Sequence, residues 1–467
     1  MANYFKAVVK PQASNQRLTV TVDKLDINGV GVARWQNKPV FISGALPDEL
    51  VEVKIIEQKN KYARAKLISI SNPNDSRVTP QCQHFGLCGG CDLQMFDMAA
   101  QLDFKQSKVS ELFSRCFSDQ NVVKNLAEKD LPWHVAIKSS PWHYRRKARI
   151  GVQFDKKSQA TIGFRQKSTN QLAAIKSCHV LVEPLNAIFP LLKKLLVELT
   201  VKSAIGHIEV IQADVIDSHS TNKSQKDNQV VLVVRQLKTM NVTDIKLWQS
   251  YAQKNDWHVI IDDGNKQEAL DSLKDISSLV LSYKLVDNSK IHFSSSDFIQ
   301  INSEVNNAMI SQALAWLNVL PSDNVLDLFC GLGNFSLAIA KHAKRVVGVE
   351  GVQVMVDKAT HNAKMNGFDN CQFYQEDLNS HWLLASWAKT QIFDKVLLDP
   401  ARAGAEEAVN QIAELKIPSI LYVSCDPATL ARDSAILVSK GYKLDKISLM
   451  DMFAQTKHVE TMVLFIR

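Results

Sequence analysis

The sequence predicts an α/β architecture: a doubly wound sheet in the C-terminal part, preceded by a small β-barrel and by a central α+β segment that carries a cysteine cluster. Three observations predict it. Five short runs of alternating apolar residues, separated by turn signals, fill Gln16 to Ser71. Three cysteines stand within the ten residues Cys82 to Cys91, and from about Phe293 to Arg467 apolar strands alternate with helical segments. A chain of 467 residues has room for two to four domains, and the pattern divides it at 14–72, 73–290 and 291–467. Its 46% hydrophobic and 22% charged residues are those of an ordinary globular protein. No apolar run reaches the roughly 18 residues of a membrane span, and the start MANYFKAVVKPQ lacks the apolar core of a secretory signal. A cytoplasmic protein is expected, in which the eight cysteines are reduced, metal-bound or catalytic. The net charge of +7 permits a nucleic-acid partner without requiring one.

The predicted barrel strands are Leu18–Val22, Val30–Arg34, Pro39–Ile42, Leu50–Glu57 and Tyr62–Ile70, with turns at Asn28-Gly29, Gln36-Asn37 and Pro47-Asp48. So many short strands in so short a stretch suggest a barrel of OB type, a common nucleic-acid platform. Lys54, Lys59, Lys61, Arg64 and Lys66 decorate its last strands, as a phosphate-contacting surface or as a solvated basic edge. The stretch Leu25-Asp-Ile-Asn-Gly-Val-Gly-Val-Ala33, with Gly44-Ala-Leu-Pro-Asp-Glu49, resembles the TRAM domain of RNA-modifying enzymes. That resemblance implies an RNA partner.

The central segment opens with Cys82-x5-Cys88-Gly-Gly-Cys91. Thiolates this close together suit one soft metal centre, but spacing alone leaves zinc and a cubane cluster both open. The fourth ligand comes from elsewhere: Cys178 in Lys176-Ser-Cys-His179, Cys116 or His84. Cys116 reads as helix core, whereas Cys178 lies in a polar connection before a helix and is the preferred candidate. Downstream, Pro141-Trp-His-Tyr-Arg-Arg-Lys-Ala-Arg-Ile-Gly-Val152 interleaves cations with aromatics as it enters a strand. It fits phosphate contact and base stacking, or an exposed strand with ordinary charges. Asp217 to Asn228 is a polar tract expected to form a flexible hairpin insertion without chemistry of its own.

In the C-terminal part the predicted strands are Val325–Phe329, Arg345–Glu350, Cys371–Tyr374, Lys395–Asp399, Ile420–Val423 and Thr461–Ile466, with helices at Phe335–His342 and Val352–Asn366. The first strand runs into Cys330-Gly-Leu-Gly-Asn334, a turn whose glycines let the backbone approach a ligand. The second ends in Glu350, placed to accept two ribose hydroxyls, and the third is followed by Glu376-Asp377, where a carboxylate suits an adenine amino group. This arrangement resembles S-adenosylmethionine-dependent methyltransferases, with a Rossmann-like sheet, more than nicotinamide enzymes. Asp399-Pro-Ala-Arg402 follows the fourth strand, Cys425 stands at the tip of the fifth in Ser-Cys-Asp-Pro, and Glu460 precedes the last.

A thiol beside a methyl donor answers a specific chemical need. Carbon 5 of a pyrimidine is a poor nucleophile; thiolate attack at C6 turns the ring into an enolate whose C5 accepts a methyl group. A base must then remove the C5 proton so that the thiol is expelled. Cys425 and Glu460 meet these two needs, and Asp399 suits the base edge. In folded RNA the uracil must first leave its stack. A free thiol titrates near pKa 8.5, so such a site either lowers that value or relies on proton transfer to the substrate.

Phe293-x4-Phe298-Ile-Gln-Ile-Asn302, Asp327-Leu-Phe-Cys-Gly-Leu-Gly-Asn-Phe335, Asp399-Pro-Ala-Arg-Ala-Gly404, Ser424-Cys-Asp-Pro427 and His458-Val-Glu460 together resemble the RNA uracil-5-methyltransferase family, in family order. The resemblance implies Cys425 as nucleophile, Glu460 as base, and Gln300, Phe329, Asn334, Glu350, Asp377 and Asp399 as contacts for S-adenosylmethionine. Barrel and cysteines together resemble the branch that modifies a flipped uracil, U1939, of 23S ribosomal RNA. By that match a [4Fe-4S] iron–sulfur cluster is held by Cys82, Cys88, Cys91 and Cys178, and the amphipathic helix over 97–117 packs on the catalytic part. Ser295 and Ala401 stand where relatives carry proline, and neither removes a reacting group. The same chemistry on another 23S uracil or on transfer RNA, a silent RNA-binding protein, and a zinc-bearing methyltransferase of another target are the competing readings.

Overall fold

The computed structural model describes residues 16–119, 130–167, 169–217, 225–270, 274–275, 279–389 and 392–467. Most of the polar tract, residues 218–224, lies outside them. The compact units do not follow the three-part division read from composition. One holds the chain up to Lys105 with Gln455–Lys457; the other holds Gln106–Ala454 with His458–Arg467.

In the first unit β1 (Arg17–Leu25), β2 (Gly31–Trp35), β3 (Lys38–Ser43), β4 (Leu50–Gln58) and β5 (Ala63–Asn72) close a barrel in the order β1-β2-β3-β5-β4. Period-two alternation turns Val20, Val22, Val40, Ile42, Val51, Val53 and Ile55 into its core. Gly31 is required where β2 passes the Ala45 carbonyl, which an added Cβ would meet at 2.9 Å. The buried Glu49 ties the following chain to the barrel. Burial opposes its charge, but the Arg77 guanidinium (2.5 and 2.8 Å) and the N–H groups of Leu46 and Asn74 hold the carboxyl below its ordinary value. The Cys82–Cys91 stretch that follows is built from turns and isolated bridges, without a helix or strand of its own.

The second unit holds two sheets. The central one is formed by β6 (Lys147–Phe154), β7 (Ala160–Arg165), β8 (Leu172–Ala174), β9 (Ile205–Asp217), β10 (Gln225–Gln236), β11 (Trp257–Asp262), β12 (Gln267–Ala269), β13 (Lys274–Asp275), β14 (Leu279–Lys284) and β15 (Lys290–Phe293). Its order is β13-β12-β11-β10-β9-β6-β7-β8, with β14 joining β9 and β15 joining β14. The catalytic one comprises β16 (Asn324–Leu328), β17 (Arg345–Glu350), β18 (Cys371–Gln375), β19 (Lys395–Leu398), β20 (Ser419–Ser424), β21 (Lys443–Met450) and β22 (Glu460–Ile466), in the order β18-β17-β16-β19-β20-β22-β21. Only β22 runs antiparallel to its neighbours.

Both faces of the catalytic sheet are covered, so its strands read as continuous apolar runs. Val325, Leu397, Leu421 and Val423 face one core; Leu326, Val396, Ile420 and Tyr422 face the other. Val109, Phe113 and Phe117, four residues apart on the helix Met98–Asp119, pack into that second core.

The basic run entering β6 departs from the expected RNA-facing strand. Arg146 is 6% exposed; it donates from Nε to the Gln300 carbonyl (2.8 Å) and lies 4.2 Å over the Tyr283 ring. Lys147 donates to the carbonyls of Ser295 (2.7 Å) and Asp297 (2.8 Å). Tyr144 is buried and bonded to the Ala454 carbonyl, and Arg149 pairs with Glu209. Tyr144, Arg146 and Lys147 brace the scaffold, because a buried cation must find acceptors and the backbone here supplies them, whereas Arg149 is exposed.

Candidate active site

Strand register builds the site. Leu328 pairs with Val349 on one side and Leu398 on the other, so the next residue along each strand, Phe329, Glu350 and Asp399, falls on one rim. Across β20 and β22, Ser424 pairs with Thr461, which sets Cys425 beside Glu460 on that same rim. From Glu350 to Cys425 there are three strand spacings, about 14 Å. The crevice opens where the strand order reverses between β16 and β19, at the carboxyl ends of the parallel strands.

A single cavity of about 490 Å³ runs along this rim and is lined by Gln300, Phe329, Asn334, Glu350, Asp399, Cys425 and Glu460. Asp377, the remaining expected contact, does not line it. It is exposed, and its carboxylate instead accepts from the N–H of Asn379 in its own turn.

The glycine turn is shaped for close approach. Phe329 takes φ 61° and Gly331 φ 54°; a left-handed phenylalanine is a strained conformation of the kind that clusters at binding sites. The Gly331 N–H donates to Glu350 (3.2 Å), and a Cβ at Gly331 would meet nothing within 4 Å, so that face is open to a ligand. The other oxygen of Glu350 accepts from Val352 (3.2 Å). Asn334 and Asn306 exchange amide bonds at 3.0 and 3.2 Å. The Tyr283 hydroxyl donates to Asn334 Oδ1 (3.2 Å).

At the reacting end Asp426 caps the helix Pro427–Ser439 through the N–H groups of Ala428 and Thr429, and Ser424 bonds across the turn, so Cys425 is held between strand and cap. Burial, then the Glu460 and Asp399 carboxylates, push the Cys425 thiol up to about 11, against Arg402. Glu460, 9% exposed, is pushed up to about 8 by burial and then by Asp399, again opposed by Arg402. Asp399 rises to about 7 by burial alone. Beneath them the buried Asp327, bonded by the Ser336 hydroxyl, is pushed up to about 7, chiefly by burial. The site therefore does not lower its thiol; it holds protons ready for transfer.

Among the lining residues without an assigned role in the sequence are Tyr283 and Phe298. Tyr283 comes from the central sheet and bore no local signal; Phe298, 72% exposed at the cavity, stood in the motif beside Gln300. Ser295, placed where relatives carry proline, is buried and donates its hydroxyl to Gln267 (2.7 Å).

The expected metal ligands are half-buried thiols. Cys82, Cys88 and Cys91 lie in the first unit, where Cys88 Sγ accepts the Gly90 N–H (3.4 Å). Cys178 lies in the second, in the connection before the helix Glu183–Asn186, its N–H bonded to Asn186 (2.7 Å). The donor set is chemically suited to a soft metal, but among the described residues no three His, Cys, Asp or Glu side chains converge closely enough to hold an ion. Cys116 packs against the catalytic core.

Residues 114–467 match the family of tRNA (uracil-5-)-methyltransferases, and residues 11–68 match the TRAM domain. The chain is 78% identical over 465 residues to the 23S rRNA (uracil(1939)-C(5))-methyltransferase RlmD of Colwellia psychrerythraea, covering 100% of this chain and 99% of that protein. It is 42% identical over 470 residues to the enzyme of the same name from Psychromonas ingrahamii, with 100% of both covered. Among solved structures, the Pyrococcus abyssi tRNA (uracil-54, C5)-methyltransferase in complex with S-adenosyl-L-homocysteine shares the fold, with a TM-score of 0.69 at 20% identity over 96% of this chain and 99% of that one.

Proposed function

The chain belongs to the tRNA (uracil-5-)-methyltransferase family, and from that premise we propose that it methylates C5 of uracil 1939 in 23S ribosomal RNA. The observation that carries the reading is the convergence of Cys425, Glu460, Asp399 and the glycine turn on one cavity. S-adenosylmethionine supplies the methyl group. Glu350 and the Gly331 turn hold its ribose, Phe329, Asn334 and Gln300 flank it, and Asp377 meets its purine once the turn of Asn379 yields that carboxylate.

Cys425 Sγ attacks C6 of a flipped uracil and passes its proton to O4 as the carbon–sulfur bond forms; the C5=C6 electrons shift toward O4, C5 of the resulting enol becomes nucleophilic, and O4 releases that proton as the methyl group arrives. Asp399, whose carboxyl burial pushes up to about 7, donates to the base edge in its protonated form. Glu460 removes the C5 proton after methyl transfer; the electrons of that bond rebuild C5=C6 and expel the Cys425 thiolate.

The barrel, the cysteine-bearing centre and the catalytic sheet act as three functional parts. Supporting RNA contact by the barrel, Lys54 stands directly opposite Arg17 on one side and Lys66 on the other. Like charges in cross-strand register cost stability unless an anion covers them. Phe41 and Tyr62 stack edge-to-face beside this row at 5.9 Å. Cys82, Cys88, Cys91 and Cys178 would be the thiolate ligands of a [4Fe-4S] cluster, which would supply cross-links between turn-built stretches of chain. No helix among the described residues is long and apolar enough to cross a membrane, and a ribosomal RNA substrate places the work in the cytoplasm.

The test is methyl transfer to a 23S fragment spanning the site. 5-Methyluridine at 1939 alone is expected, with none when that uracil is replaced by cytosine. Methylation of another 23S uracil or of transfer RNA at an equal rate would overturn the assignment.

A further inference from the structure

Gln455–Lys457 belongs to the unit of the barrel and cysteine segment, although Ala454 and His458 on either side belong to the catalytic unit. Within its unit the piece is gripped. Gln455 is 4% exposed and takes φ 67°, a left-handed conformation that a residue with a side chain keeps only where its surroundings impose it. Its carbonyl accepts from the N–H groups of Asp92 (2.9 Å) and Leu93 (3.1 Å), the two residues directly after Cys91. Its side-chain oxygen accepts from Gln101 Nε2 (3.1 Å), and its own N–H donates to Gln101 Oε1 (3.2 Å). Gln101 is 1% exposed, and its Nε2 also faces the carbonyls of Leu93 (3.1 Å) and Phe96 (2.8 Å). The Lys457 N–H points at the Asp92 carboxylate (3.4 Å).

Glu460 follows Lys457 by three residues and opens β22. We infer that the Gln455–Gln101 pair is a positioning device for Glu460: by fixing the chain that enters β22 it sets where the base stands over C5. The inference rests on Glu460 being the base. Neither glutamine touches substrate, and a fixed geometry is what proton abstraction demands of its supporting residues. Once the methyl group is on C5, the C6–sulfur bond breaks only as the C5 proton leaves. A misplaced base therefore slows that step and leaves RNA bound to Cys425.

Gln101→Glu is nearly isosteric, yet it sets a carboxylate against three oxygens; Gln455→Ala keeps the backbone and deletes the amide. The expected result for both is a kcat lower by about tenfold or more, a KM for the RNA fragment that falls with it so that kcat/KM stays near the parent's, and a denaturant-resistant protein–RNA adduct more abundant than in the parent. Parent-like kcat without added adduct overturns the inference, as does a KM that rises in step with any loss. Should the variants not fold, amide hydrogen exchange of the parent decides: Gln455 and Leu93 must be protected as well as the first turns of the helix from Met98, and exchange at open-loop rates contradicts the grip. A Glu460→Gln protein that releases methylated RNA as fast as the parent removes the base assignment itself, a different failure.

Discussion

Cys425 and the thiols of Cys82–Cys91 are the same side chain in two opposite settings. Cys425 is fixed before any ligand arrives: the register of β20 and β22, the Asp426 cap and the buried carboxylates set its place and protonation. The cysteine loop offers its thiols from a turn-built stretch in which, among the described residues, no three metal-ligating side chains converge; the proposed cluster would have to draw them together. A sheet can preorganise chemistry that must be accurate at every turnover, whereas a loop needs only ligands of the right softness within reach.

The contrast breaks most sharply at Cys425. Cys425→Ala should lower turnover by about four orders of magnitude or more while cofactor affinity, measured by calorimetry, stays within about twofold. Parent-like turnover would put Cys425 on the structural side of the comparison. Next in size is pH. With Glu460 pushed up to about 8, kcat, which includes the elimination step, should climb with pH toward that value as the base loses its proton; a kcat flat from pH 6 to 9 would contradict a buried base.

In the loop, Cys88→Ser should abolish the visible absorption and iron content of anaerobically purified protein, yet reduce single-turnover methylation of saturating RNA by less than about tenfold. A loss as large as that of Cys425→Ala would erase the distinction between the two regions. The smallest effect concerns stability. Because the folded protein raises Glu460 above its ordinary value, the folded state holds the proton more tightly. That stabilisation is complete below about pH 4.5 and disappears as pH rises through about 8. Glu460→Gln should then melt a few degrees above the parent at pH 9 and close to it at pH 5, as thermal unfolding will show.

Legibility in the sequence follows the same line. Strands buried on both faces are unbroken apolar runs, so β16, β17, β19 and β20 and the residues at their tips could be read directly. β21 could not: Lys-Leu-Asp-Lys-Ile-Ser-Leu-Met mixes polar residues into a strand completed by pairing with β22 and by isolated bridges to Trp133 and Ile137, both distant in sequence. Tyr283 reaches the cavity from the central sheet, and no local pattern announces such a contact. Arg146 and Lys147 misled for a physical reason, since a charge pattern cannot tell a cation facing solvent from one bonded to buried carbonyls. The compact units differ from the compositional division because the central segment from Gln106 falls in one unit with the catalytic sheet while Gln455–Lys457 falls in the other, and nothing near either point in sequence marks it.

The central claim is that a covalent bond joins Cys425 to the uracil. Its most direct test is mass spectrometry of nuclease- and protease-digested Glu460→Gln protein after reaction with S-adenosylmethionine and the 23S fragment. The expected product is a peptide containing Cys425 that carries one methylated uridine. Methylated RNA released freely, or a uridine attached to any other residue, would contradict it.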